Sequence, residues 1–226
     1  MQICPTFPPN IGGVGNYTKI LSDYLKKRGI KSKILISDYL ENKNKKQILF
    51  GKKSKNLNLL LENINSKNII LHYSGYGYAS RGLCFSLVKS LEKWKQNKSD
   101  RKLITIFHEI YATGPFYRMS FWTSLLQKYL AKKLFEMSDV SIVTSKQNKL
   151  ILSSFDKKRK ITYTNVFSNI GELKKNKKIE ERKNIAIIFG NIYQKEILYK
   201  DILLNKDRYE NLLKKMSITE IIDIGP

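Results

Sequence analysis

The chain has 226 residues and a formal net charge of +23, from 42 Lys and Arg against 19 Asp and Glu. With 42% apolar residues, 11% aromatics, 12 Gly and 5 Pro, it can bury a core, which excludes collagen-like and low-complexity classes; the length suits one large domain, or one domain plus a piece of another. No apolar run approaches the ~18 to 20 residues of a membrane-spanning helix, and Met1-Gln2-Ile3-Cys4-Pro5 lacks a basic region followed by an apolar one, so a cytoplasmic protein is expected.

Gln2 to Phe7 is a short apolar segment stopped by Pro8-Pro9, and Ile11-Gly12-Gly13-Val14-Gly15 leads into a helical pattern. Tyr17, Ile20, Leu21, Tyr24 and Leu25 mark one face of that helix, and Gly29 ends it. Lys33 to Ser37 is the next buried strand, completing a βαβ unit. Further on, the pattern predicts strands at Asn68 to His72, Lys102 to Phe107 and Asp139 to Val143. Helices are expected at Leu83 to Trp94, Phe121 to Phe135 and Gln147 to Ser154. Continuous apolar strands alternating with amphipathic helices imply a doubly wound, Rossmann-like α/β domain with a parallel sheet, over residues 1–165. Residues 166–183 are expected to be a linker, charged from Glu172 onward. Asn184 to Gly190 and Ile218 to Ile224 are strands and Arg208 to Met216 a helix, so residues 184–226 look like the truncated start of a second Rossmann-like domain. Alternatively, both strands extend the first sheet.

In parallel α/β sheets ligands bind beyond the carboxyl ends of the strands, where helix N-termini point. Three polar clusters fall there: Gly12-Gly13-Val14-Gly15, His72-Tyr73-Ser74-Gly75-Tyr76-Gly77-Tyr78 and His108-Glu109-Ile110-Tyr111. Gly13-x-Gly15-x-x-Thr18 and Gly75-x-Gly77-x-x-Ser80 both miss the third glycine of the dinucleotide fingerprint, which counts against a nicotinamide or flavin cofactor. The chain's two histidines, His72 and His108, each follow a buried strand; structural and catalytic roles are both open to them. There is no Gly-x-Ser-x-Gly elbow, no phosphate loop with Gly-Lys-Ser/Thr and no His-Glu-x-x-His helix. Cys4 and Cys84, far apart, suggest small buried residues rather than a disulfide or zinc site.

The segment Pro5-Thr6-Phe7-Pro8-Pro9-Asn10-Ile11-Gly12-Gly13-Val14-Gly15-Asn16-Tyr17, leading to Arg28-Gly29, resembles the opening of group 1 glycosyltransferases, the retaining sugar-nucleotide enzymes with two Rossmann domains. The resemblance continues in Tyr73 to Tyr78, Phe107-His108-Glu109, Asp139 to Ser145 and Val166 to Glu172. It implies that Gly12, Gly13 and Val14 offer amides to the donor diphosphate. It likewise implies that His108 faces the transferred sugar and the acceptor hydroxyl, while Glu109, His72, Tyr73, Gly75 and Tyr76 help line the acceptor pocket. Attack from the leaving group's own face, with the leaving phosphate assisting deprotonation, would need neither a protein nucleophile nor a metal. The sugar nucleotide is then a co-substrate and no other cofactor is implied. The family's C-terminal domain brings a basic pair and two glutamates separated by seven residues. Glu172 and Glu180 have that spacing, but they flank a lysine-rich segment without the expected strand and glycine turn, so the nucleotide site is expected to be missing. The implied function is transfer of a sugar from a nucleoside diphosphate to a glycan or lipid-linked acceptor, incomplete as this chain. The competing expectation is a non-catalytic α/β module that binds phosphorylated glycans or anionic surfaces, or that needs a separately encoded C-terminal half.

The charge itself is 35 Lys and 7 Arg beside 28 Ile and 18 Asn, a bias that an A/T-rich genome produces unaided. Readers of base edges favour Arg, so nucleic acid is not an expected partner. Lys19 to Lys55 holds 12 basic residues against Asp23, Asp38 and Glu41, and Phe116, Tyr117, Phe121 and Trp122 precede Lys128, Lys132 and Lys133. That mixture suits peripheral contact with an anionic membrane, on the inner face of the plasma membrane; lysines over core aromatics are the alternative.

Overall fold

The computed structural model describes residues 1–10, 12–37, 48–49, 57–112, 115–117, 119–168 and 178–224. The chain divides into two compact units, Met1–Gly171 and Glu172–Pro226.

Short apolar strands, buried on both faces, build the first unit around a seven-stranded sheet. In chain order its elements are β1 (Gln2–Cys4), α1 (Gly13–Lys27), β2 (Ile34–Ile36), β3 (Ile48–Leu49), α2 (Leu57–Ile64), β4 (Asn68–Tyr73) and α3 (Gly75–Tyr78). A 3₁₀ turn (Ser80–Gly82), α4 (Phe85–Gln96), β5 (Lys102–Phe107), α5 (Met119–Met137), β6 (Val140–Val143), α6 (Lys146–Phe155) and β7 (Ile161–Tyr163) follow. Strand order is β3-β2-β1-β4-β5-β6-β7, and every pairing is parallel. The chain therefore leaves β1 in one direction and returns to β4 on its other side, creating a topological switch point between them. This is the expected doubly wound, Rossmann-like α/β sheet.

Local chemistry explains the boundaries. α1 ends in a Schellman motif: Gly29 has φ +81, its amide bonds the Lys26 carbonyl and the Ile30 amide bonds that of Leu25. The carbonyls at the end of α5 are satisfied by Arg159, whose Nη1 donates to Phe135 at 2.7 Å and Ser138 at 3.0 Å. Ser145 caps α6, its hydroxyl accepting from the Asn148 amide. Beneath the helices, Leu71, Leu91, Trp94, Phe107, Leu134 and Phe135 pack into one buried cluster, each such side chain contributing about 1.5–3 kcal/mol.

Several elements differ from expectation. β4 runs to Tyr73, one residue past the expected His72, and the core continues through His72 and Tyr73, both fully buried. Tyr24 is exposed rather than on the buried face of α1; the Arg28 guanidinium lies 5.1 Å from its ring centroid. α2, α3, β3 and β7 had no counterpart in the periodicity.

The second unit holds a 3₁₀ turn (Ile179–Glu181), β8 (Ile185–Phe189), α7 (Ile192–Leu204), α8 (Lys206–Lys215) and β9 (Glu220–Ile224). β8 and β9 pair with each other in parallel and form their own sheet, so they do not extend the first one. α7 was not anticipated: its apolar residues run all round the helix, and the usable signal was Asn191, whose side chain caps the Gln194 amide in an Asn-x-x-Gln start. Among the described residues of this unit no apolar side chain is buried, and Phe189 is 82% exposed. Among its described residues the one that is buried is Lys195, ion-paired to Asp223.

The start of α1 is held by close approach. A Cβ at Gly15 would lie 2.8 Å from the Thr6 carbonyl oxygen, whereas one at Gly13 would meet nothing within 4 Å. Gly15→Ala is therefore expected to lower stability by about 1–3 kcal/mol through overpacking, and Gly13→Ala to leave it essentially unchanged, by urea denaturation of the two variants.

Candidate active site at the sheet switch point

Parallel register places three polar side chains on one diagonal. Gln2 of β1 pairs with Ile70 of β4, and His72, two residues on, shares that face. His72 pairs with Ile106 of β5, and His108, two residues further, again shares the face. The side chains meet accordingly: His72 Nε2 lies 3.0 Å from Gln2 Oε1, and His72 Nδ1 lies 3.4 Å from His108 Nε2. Gln2 Nε2 donates onward to Ser32 Oγ at 2.8 Å. Gln2 and His72 are wholly buried, polar groups that persist in the core because each is partnered.

From above, α1 covers this diagonal. The Tyr17 ring meets those of His108 and His72 edge-on, with centroids at 5.0 and 5.9 Å, and stacks on Phe167 at 4.1 Å. Tyr17 lies about one helical turn from Gly13, so the beginning of α1 and His108 sit at the same carboxyl edge of the sheet. Gly12 is the N-cap of α1 and supplies no side-chain cap. The leading amides of the helix therefore lack intrahelical acceptors and present partial positive charge to an anion. Gly13 is exposed, and Gly12 and Val14 are half-buried.

The backbone of His108 is pinned as well. Its amide donates to the Tyr73 carbonyl at 3.0 Å, and Asn148 Nδ2 donates to its carbonyl at 3.1 Å. Burial in this apolar cage disfavours the imidazolium form. It pushes His108 down to about 4 and His72 to about 3, the latter helped by repulsion from His108. Both rings are neutral at physiological pH.

Beside the diagonal, a cleft of about 340 Å³ is lined by Gly75, Tyr76, Glu109, Ile110, Tyr111, Ala112 and Gln127. Ser74 Oγ donates to Glu109 Oε2 at 2.7 Å, linking the loops after β4 and β5. Gln127 of α5 binds three segments: its Oε1 accepts from the Ala112 amide at 2.7 Å, and its Nε2 donates to the Arg81 carbonyl at 2.7 Å and the Tyr76 hydroxyl at 3.2 Å. A Cβ at Gly77 would lie 2.3 Å from Pro5 Cβ, so the loop after β4 is seated directly on the segment after β1.

The structure thus gathers Gly75, Tyr76 and Glu109 around one cleft, with His108 beneath Tyr17 alongside. His72 and Tyr73 are corrected: as strand residues with no exposure they cannot touch a ligand, and they form the layer under the site. No motif marks Gln2 or Gln127; the local signal for Gln2 is a polar residue at the start of a three-residue buried strand. Glu172, Asn169 to Gly171 and Ile11 lie outside the described residues, as do Lys43, Lys45, Lys46, Lys52, Lys53 and Lys55 of the basic stretch. Glu180 falls in the exposed 3₁₀ turn of the second unit.

No protein-family model and no curated protein matches this sequence. Among solved structures the chain is similar to an alpha-glucosyltransferase in complex with UDP, at 13% identity and a TM-score of 0.49 over 72% of this chain. The chain spans 43% of the length of that protein.

Chemically, two neutral imidazoles, His72 buried and His108 half-buried above it, can accept or donate hydrogen bonds but hold a proton poorly, while the uncapped helix start favours a negative group. The cysteines are reserved from reaction: burial pushes the Cys4 thiol up to about 12 and that of Cys84 to about 11. Because the histidines bind protons more weakly folded than unfolded, where the ordinary value is about 6.5, stability should be complete above that pH. It should fall as pH drops toward 4, with His108 alone contributing on the order of 3 kcal/mol. Proton NMR titration of the two rings checks this: both should stay neutral until near pH 4, and an ordinary midpoint near 6.5 would contradict their burial.

Proposed function

We propose that this chain carries the acceptor-binding half of a glycosyltransferase that moves a sugar from a nucleoside-diphosphate donor to a glycan or lipid-linked acceptor. The reading rests on one observation above the others: the uncapped, glycine-led start of α1 and the ring of His108 are joined through Tyr17 at the sheet's switch point, beside a cleft rimmed by Glu109 and Tyr76. The quoted motifs, Gly12 to Gly15 and His108-Glu109, supply the resemblance to group 1 enzymes.

In this reading the amides of Gly12, Gly13 and Val14 stabilise the departing diphosphate, whose charge grows as the glycosidic bond breaks. The cleft holds the acceptor through Gly75, Tyr76 and Glu109, and the neutral His108 receives a hydrogen bond from a substrate hydroxyl. An imidazole held near 4 is a poor proton acceptor at pH 7. The acceptor proton therefore leaves with the phosphate, which accords with retention by attack from the leaving group's own face. Catalysis is then positioning plus charge neutralisation, with the sugar nucleotide as co-substrate. The donor's nucleotide requires a further domain, because the second unit's two-stranded sheet buries none of its apolar residues.

A lipid-linked acceptor is favoured by α5, where Trp122 and Leu125 are each 63% exposed and Phe116 and Tyr117 are each 72% exposed just before it, near Lys128 and Lys132. These aromatics are not core residues. Exposed aromatics flanked by lysines suit the headgroup region of an anionic bilayer. Among the described residues no helix is long and apolar enough to cross a membrane. Sedimentation with vesicles should show binding to anionic but not neutral lipid, lost when Trp122 and Leu125 are both changed to Ser.

Turnover is the central test. The isolated chain should be inactive toward sugar nucleotides, and joining it to a donor-binding domain should generate transfer. In that reconstituted enzyme His108→Ala should cut kcat at least about a hundredfold. Gly13→Ala, neutral for folding, should weaken use of the donor, whereas ordinary rates from the isolated chain would overturn the assignment.

A further inference from the structure

Neither histidine is free to choose its proton. With Gln2 Nε2 donating to Ser32 Oγ at 2.8 Å, Gln2 Oε1 is the atom that accepts from His72 Nε2 at 3.0 Å. A neutral imidazole protonated on Nε2 has a bare Nδ1, so His72 can only accept at that atom. The group facing it is His108 Nε2, at 3.4 Å with the two rings inclined by 18°. His108 Nε2 must therefore carry a hydrogen, and Nδ1 is left as the unprotonated nitrogen of its ring, with no protein hydrogen-bond partner among the described residues. The sequence alone would not show this, because Gln2 and His108 are 106 positions apart and meet only across β1, β4 and β5.

We propose that Gln2 is a positioning residue which, through His72, fixes His108 as the Nε2–H tautomer so that its bare Nδ1 accepts a hydrogen bond from a substrate hydroxyl. The role assigned to the substrate rests on the function proposed above; the tautomer does not. A reversed thread, with His72 Nδ1 donating, would put the hydrogen of His108 on Nδ1, where it would suit a phosphate or carbonyl oxygen rather than a hydroxyl proton. Gln2 is the residue that selects between these two arrangements. Its carboxamide sits in a dry layer, sealed by Tyr17 over the two rings, where no water competes for His72 Nε2.

Because the chain contains two histidines, ¹⁵N-histidine labelling of the whole protein gives four ring nitrogens, assignable through their couplings to the ring protons. At pH 7 both Nε2 atoms should appear protonated and both Nδ1 atoms bare. Gln2→Glu, which in its ionised form can only accept, should preserve this pattern. Gln2→Leu, similar in size but unable to accept, should abolish the single tautomer at His108 and give averaged nitrogen shifts on both rings. A protonated Nδ1 on His108 in the unaltered protein overturns the proposal, and so does an unchanged pattern in Gln2→Leu or a lost one in a folded Gln2→Glu. Should Gln2→Leu not fold, Gln2→Glu and the unaltered protein still decide it. Failure of the reconstituted enzyme to transfer sugar would remove the function while leaving the tautomer result standing.

Discussion

The pairing of β1 with β4 is the constraint from which the site follows. Only three residues long, β1 is nonetheless central, with β2 on one flank and β4 on the other. The chain leaves β1 toward β2 on one flank and reaches β4 on the other, which makes the carboxyl end of β1 the switch point where a crevice forms. The same pairing sets Gln2 against Ile70 and so aligns a polar thread across three strands. Slip this register by one residue and Gln2 would turn to the opposite face, leaving His72 with an unpaired buried nitrogen.

Around that thread the molecule trades apolar burial for orientation. A core of leucine, isoleucine and aromatic side chains could have continued through positions 2 and 72, and hydrophobic residues there would have been easier to bury. Instead two polar side chains occupy the interior, each fully bonded, and they support a third at the rim. Gln127 repeats the device on the other side of the cleft, binding the segments after β4 and β5 to α5. Arg81, at φ +56, and Gly82, at φ +69, lie where Gln127 grips the loop, a locally costly backbone retained beside the cleft.

Much of this was legible in the sequence, for definite reasons. Short apolar runs such as Asn68 to His72 and Lys102 to Phe107, alternating with longer amphipathic stretches, allowed the strands and their parallel arrangement to be inferred. Gly29 acts through local bonding that residue type alone signals. What failed was non-local. Whether His72 ends a strand or begins a loop depends on the Phe107 segment beside it, and Tyr24 lies exposed with the Arg28 guanidinium over its ring. α7 lacks a one-sided stripe, and among the described residues of the second unit no apolar side chain is buried for such a stripe to face. The roles of Gln2 and Gln127 exist only across strands, where spacing in the chain carries no information.

The contact between Gly77 and Pro5 bears on how related sequences can vary. Hydrogen is the only substituent at position 77 that clears the proline ring, so the two sites are not independent under mutation. A bulkier residue at 77 becomes tolerable only after position 5 has shrunk or its backbone has retreated. Divergent copies of this domain should therefore change the two together, in that order, and the pair would surface as a covarying couple linking segments more than seventy residues apart.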